Sequence, residues 1–294
     1  MRESQMKKII AAAVTTAFVA PAFAADVSLT GVSEAILKDS DGVMESQLDY
    51  AFTVSASTET ANGLSVSADI NIGGDATGET SILNEGSNSL TISGPFGKID
   101  FGDTSGAVDA IDDVTETAKE LGMGTEGDDA AILWTLPSLA DGLTVNVSAN
   151  TDTQTTDSSA SDRGQGSGVS AKYSNAGLTI GYGVNNYDTG ADESIANVSY
   201  SFNGITLAYE GQTDTSSAGA DTDYKNFGAS YKMGDLLIGV ETQEKTISSA
   251  VTSEKTAYTV QYSLGGGVTA WLESQDDAKA ASSNITAAGL EFKF

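Results

Sequence analysis

Leu48, Tyr50, Phe52, Val54 and Ala56 stand on one parity of a single stretch, with Asp49, Thr53, Ser55 and Ser57 on the other. Leu64, Val66, Ala68, Ile70 and Ile72 repeat the arrangement against Ser65, Ser67, Asp69 and Asn71. It returns at Leu143/Val145/Val147, Leu178/Ile180/Tyr182/Val184, Ile205/Leu207/Tyr209, Tyr258/Val260/Tyr262/Leu264 and, at the end, Leu290/Phe292/Phe294. A period of two puts such side chains on one face of a β-strand, and about sixteen segments of this kind can be counted. Apart from the first residues and one loop, no stretch carries a convincing helical period.

The connections narrow the choice further. Short ones hold turn residues: Asn62-Gly63, Pro95-Phe96-Gly97, Asn175-Ala176-Gly177, Asn203-Gly204, Gly234-Asp235 and Gly265-Gly266-Gly267. Between them lie polar stretches near 38–46, 74–87, 103–129, 151–166, 187–193, 212–223, 245–255 and 275–283, read as longer loops. A soluble sandwich has no reason to alternate short with long. An up-and-down barrel in an outer membrane does, because one rim carries turns and the other loops. A barrel of about sixteen strands is too wide for side chains to fill, so its interior is wet and its apolar parity faces lipid. The expected fold is thus all-β, a transmembrane antiparallel up-and-down barrel. Closure satisfies the backbone without a long hydrophobic run, as a mean hydropathy of −0.12 requires. Tyr50, Phe52, Tyr182, Tyr200, Phe202, Tyr209, Tyr231 and Phe292 lie on the apolar parity and suit interfacial aromatic girdles.

The first residues read as an export address. Lys7 and Lys8 precede the uncharged, largely apolar run Ile9–Ala20, and Ala22-Phe23-Ala24 has the small-x-small form of a signal-peptidase site. The run is too short to span a bilayer as a helix, which needs about 20 residues. Cleavage is expected after Ala24, leaving 25–294 as the barrel, exported through the periplasm to the bacterial outer membrane.

The chain has no histidine and no cysteine. Their absence removes the commonest general base, the usual catalytic triad, thiolate metal sites and any disulfide scaffold. A non-enzyme is expected, with an outer-membrane barrel enzyme as the alternative of a different class. The formal net charge of −27 repels nucleic acid.

Residues 103–129 form the longest connection and contain Asp103, Asp109, Asp112, Asp113, Glu116, Glu120, Glu126, Asp128 and Asp129 against the single Lys119. Asp113 followed three residues later by Glu116 is a helix-start pattern, and Thr115–Leu121 is expected to form a short helix. A loop this long is functional more often than not. Its acids suggest calcium as the only candidate ligand, but Asp112-Asp113 and Asp128-Asp129 do not make an EF-hand, and no cofactor is expected.

The stretch Phe96-Gly97-Lys98-Ile99-Asp100-Phe101-Gly102-Asp103, together with the C-terminal Phe294, resembles the general bacterial porin family. Its segment Phe-Gly-x-Val-x-x-Gly-Arg leads into a loop folded inward after strand five. The likeness covers the whole chain in pattern and only these segments in letters. It implies passive diffusion of small hydrophilic solutes and ions through a water-filled pore, contact with outer-membrane lipid, and homotrimers. One departure matters. The family segment commonly ends in arginine, part of a basic cluster across the pore from the acidic loop, and here Asp103 stands instead. Beyond the first residues the chain has only Arg163 as arginine. If the strand parities hold, the inward-facing wall lysines are Lys38, Lys98, Lys172 and Lys232. The constriction is then expected to be lined by Asp103, Asp109, Asp112, Asp113, Glu116 and Glu120 and to prefer cations. Two other readings stay open. One is a substrate-specific channel for sugars or cationic nutrients, which an inward Trp271 would favour. The other is a non-conducting structural or adhesive surface barrel.

Overall fold

The computed structural model describes residues 26–75, 88–112, 114–123, 129–150, 165–280 and 284–294. Residues 1–24, Arg163 and Asp113 lie outside them.

Sixteen antiparallel strands close into one barrel. The first eight are β1 (Asp26–Ser40), β2 (Val43–Glu59), β3 (Ser65–Asp75), β4 (Ser89–Gly94), β5 (Gly97–Ser105), β6 (Asp129–Thr135), β7 (Leu143–Asn150) and β8 (Gly166–Asn175). The rest are β9 (Leu178–Tyr187), β10 (Asp192–Phe202), β11 (Ile205–Thr215), β12 (Asp221–Met233), β13 (Leu236–Ile247), β14 (Ala250–Gly265), β15 (Val268–Asp277) and β16 (Ile285–Lys293). Each strand pairs with its sequence neighbours, and β1 pairs with β16 from Val32↔Lys293 to Ser40↔Ile285. Reciprocal backbone bonds of 2.9 and 3.0 Å between Gly31 and Phe294 complete the seam. No edge is left to recruit another chain.

The alternation sets the two faces. On β12, Phe227, Tyr231 and Met233 are exposed on the outside, while Asn226 is buried inside. From Phe227 to Met233 is about 20 Å along a strand, and Lys225 then ends the apolar band with an ion pair to Glu244 at 2.8 Å. Tyr182, Tyr209 and Tyr258 mark the same edge, and Tyr200, Phe202, Tyr231 and Phe292 the other, all exposed.

Several stretches expected to be long loops are strand. β1 and β2 run to a two-residue turn at Asp41-Gly42, and β13 and β14 to another at Ser248-Ser249. All four turn residues have positive φ, the conformation whose twist matches that of the flanking strands. Polar alternation beyond the membrane had the composition of a loop, but ladder pairing continues wherever both partners stay extended. The 38–46 and 245–255 loops are therefore hairpin tips. Among the described residues the barrel has no helix.

Buried apolar side chains form small clusters rather than a central core. Ile36, Leu121, Trp271 and Ala287 make one, and Val108, Ile111 and Ile195 another. Both lie between the wall and the segment that follows β5.

Candidate functional site

The segment after β5 enters the barrel and lies against the inner wall. Irregular backbone at this depth needs a partner for each polar group, and the wall supplies them. Glu241 on β13 accepts the N–H groups of Thr117, Ala118 and Met123. Glu273 on β15 accepts those of Lys119, Glu120 and Leu121 at 2.6, 3.0 and 3.0 Å. Wall amides take the carbonyls: Gln261 donates to Thr117 at 2.8 Å, Gln275 to Leu121 at 2.9 Å and Gln243 to Met123 at 3.0 Å. Farther back, Asn197 donates to the Ile111 carbonyl at 2.6 Å and Ser148 accepts the Ala107 N–H at 2.9 Å.

These bonds explain why Thr115–Leu121 is not the helix that its sequence suggested. An α-helix spends its N–H groups on carbonyls four residues back. Here the amides of Thr117 to Leu121 are held instead by two carboxylates, which make stronger, charge-assisted bonds. The segment follows the wall as turns and bends.

Glycines clear its path. A Cβ on Gly228 would collide with the Thr115 backbone and one on Gly239 with the Thr117 side chain. At Gly289 the missing Cβ leaves space for the Trp271 indole, which packs with Leu121 and Ile36 and donates to Glu34 at 2.6 Å. Trp271 does face inward, but it is only 4 % exposed. It clamps the loop and offers no ring to a passing sugar.

The residues singled out from sequence fall in several places. Glu120 pairs with Lys38 at 2.9 Å. Asp103 is half-buried at the end of β5, its N–H on the Asn88 carbonyl at 3.1 Å. Asp109 and Asp112 are half-buried within the loop, while Glu116 is exposed with its carboxylate over Gly122. Lys98 pairs with Asp100 on its own strand at 2.7 Å, and Lys172 approaches the Ala110 carbonyl at 3.5 Å. Lys232 is exposed near the end of β12, beyond the residues of that strand that touch the loop. Lys119, from the loop itself, pairs with Glu291 at 2.7 Å. Three of these lysines thus sit beside a carboxylate, so the lumen has no continuous basic side opposite the loop. Among the described residues no group of three or more acidic side chains is placed to hold a metal ion.

The sequence did not single out the wall acids. Glu210, Glu241 and Glu273 are at most 2 % exposed, although they are far from the loop in the chain. A signal was present: Glu210-Gly-Gln212, Glu241-Thr-Gln243 and Glu273-Ser-Gln275 repeat a Glu-x-Gln pattern on the lumen parity. In the last two the glutamate takes loop N–H groups and the glutamine a loop carbonyl.

A model of the Gram-negative porin family matches residues 11–281. Among solved structures, the chain is similar to the Salmonella typhi OmpF complex with daunomycin, with a TM-score of 0.79 and 15 % identity over 92 % of this chain and 98 % of that one. A multiply substituted Rh. blastica porin aligns with a TM-score of 0.73 and 17 % identity over 92 % of this chain and 100 % of the other. Another refined porin aligns with 0.69 and 20 % over the same shares. A comparison with curated proteins found no significant match.

Proposed function

The chain belongs to the Gram-negative porin family, and on that premise we propose that it is an outer-membrane channel for passive diffusion of small hydrophilic solutes whose pore prefers cations. The observation that carries the preference is the state of the lumen lysines. Lys38, Lys98 and Lys119 each lie within 2.9 Å of a carboxylate, so little positive charge remains to oppose the acids. Low-dielectric walls focus the field of the rest.

In this reading Asp109, Asp112, Asp113, Glu116 and Glu120 form the loop side of the constriction, the charge of Glu120 being offset by Lys38, with Asp103 at its entrance. Asp113 lies outside the described residues and enters on sequence alone. The assembly is a homotrimer, a proposal that rests on the family. The small outward residues Gly31, Ser33 and Ala35 of β1 permit close packing of copies.

Single-channel recording in planar bilayers under a salt gradient tests both parts. Conductance steps in triplets with a reversal potential favouring cations are expected. Changing Asp109, Asp112 and Asp113 together to Asn should lower the cation-to-anion permeability ratio about threefold, since unit charges a few ångströms from a wet path act through a high dielectric and salt. An unchanged ratio would remove these residues from the selectivity site.

A further inference from the structure

The described residues of the loop lie against one side of the lumen. The polar side chains that it and its neighbours bury, such as Ser170, Asn197, Asn226, Glu241, Thr259 and Glu273, stand on β7–β16. On the opposite side, the lumen parity of β2, β3 and β4 contributes no buried residue among those described. Thr53, Ser55, Ser67, Asn71 and Thr91 all remain accessible there. Between Lys38 and Lys98 the sequence contains no lysine or arginine at all. Lys98, at the end of this face, is held by Asp100.

Cross-strand register arranges what is left. Thr53 faces Asn71, Ser55 faces Asp69, and Ser67 faces Thr91. Thr53 donates to the Asn71 side chain and Thr91 to Asp100, so these hydroxyls are oriented while their lone pairs stay available. Neighbours lie about 4.8 Å apart across strands and about 6.6 Å apart along them, a grid able to replace water on successive hydroxyls of a solute. Among the described side chains, four carboxylates stand in the same face: Glu45 and Glu59 toward the ends of β2, and between them Asp69 and Asp49, which Gln47 holds at 2.8 and 2.9 Å. An ammonium group finds a counter-charge here and an anion finds none.

We infer that solutes cross the pore along the β2–β4 wall, and that this wall favours hydroxyl-rich solutes bearing an amine, such as amino sugars, over neutral or carboxylated ones of equal size. Asp49 and Asp69 supply the charge discrimination; Thr53, Ser55, Ser67, Asn71 and Thr91 supply the hydroxyl tolerance. The inference rests on the porin reading above and adds a second selective contact on the wall facing the loop.

The test is efflux of radiolabelled glucosamine, glucose and gluconate from proteoliposomes holding the full-length protein, with the membrane potential clamped at zero by potassium and valinomycin. Rates should fall in that order, glucosamine leading glucose by about threefold as expected for an acidic path that concentrates cations. In the D49N/D69N variant the lead of glucosamine over glucose should shrink by at least half, the remainder being set by the loop acids. The single variants serve if the double one does not assemble. Equal rates for all three solutes in the native protein, or an amine preference unchanged by both substitutions, would overturn the inference and leave the porin standing. No efflux of any solute from correctly folded protein would overturn the porin reading itself.

Discussion

Changing Glu241 and Glu273 together to Ala should raise single-channel conductance by roughly half or more, because each carboxylate holds three loop N–H groups and bonds to charged acceptors contribute about 1.5–3 kcal/mol apiece. The strands keep their ladders, which are made by backbone, and lose only the bond that Thr259 of β14 donates to Glu273 at 3.0 Å. The loop loses six hydrogen bonds and keeps its amide partners and the Leu121–Trp271 contact. It should become mobile, so current noise should increase and larger solutes should pass in liposome swelling. The Gln variants should do less, since an amide oxygen still accepts. Unaltered conductance and size limit in the Ala variant, with heat-modifiable migration intact, would mean that packing alone seats the loop.

A substitution at the glycine seat should act in the opposite direction. In Gly228→Val the added side chain occupies the place of the Thr115 backbone. Valine suits a strand better than glycine does, so the wall stays and the loop must move. It can move only away from β12, toward the open β2–β4 side. Conductance should then fall by roughly half, with a smaller size limit, as overpacking is relieved by displacement of the softer partner. Gly239→Val should do the same at Thr117. A rise in conductance would show that the loop leaves the lumen when displaced. The two experiments separate holding from fit: one frees the loop, and the other pushes it across the passage.

Period-two alternation and turn residues were readable because each is local, and the inward course of the loop after strand five was what the family resemblance implied. The parity of Leu48 to Ala56 requires only neighbours in the chain, and so does the Phe96–Asp103 segment. What was not readable depends on closure. Glu241 and Glu273 were polar letters on a lumen parity until the barrel brought β13 and β15 under Thr117 to Leu121. Without those partners the segment's own best hydrogen bonds are helical, which is why Asp113 and Glu116 pointed to a helix. Trp271 was correctly inward, yet its function turned on Gly289 beside it and Leu121 above it. The tips at Asp41-Gly42 and Ser248-Ser249 were misjudged for another reason: a strand that leaves the membrane loses its apolar parity but not its pairing.

The distances along the chain between the loop and its seat carry a consequence for how the molecule comes together. Thr117 reaches Glu241 across 124 positions, and Lys119 reaches Glu273 across 154 and Glu291 across 172. Such contacts come late, because long closures must be made before they return any energy. A growing sheet can therefore add hairpins one after another while this segment has nowhere to lie. Only when β13, β15 and β16 arrive do its amides find acceptors, and β16 is also the strand that meets β1. Sealing the cylinder and giving it a waist are, for this chain, parts of the same final step.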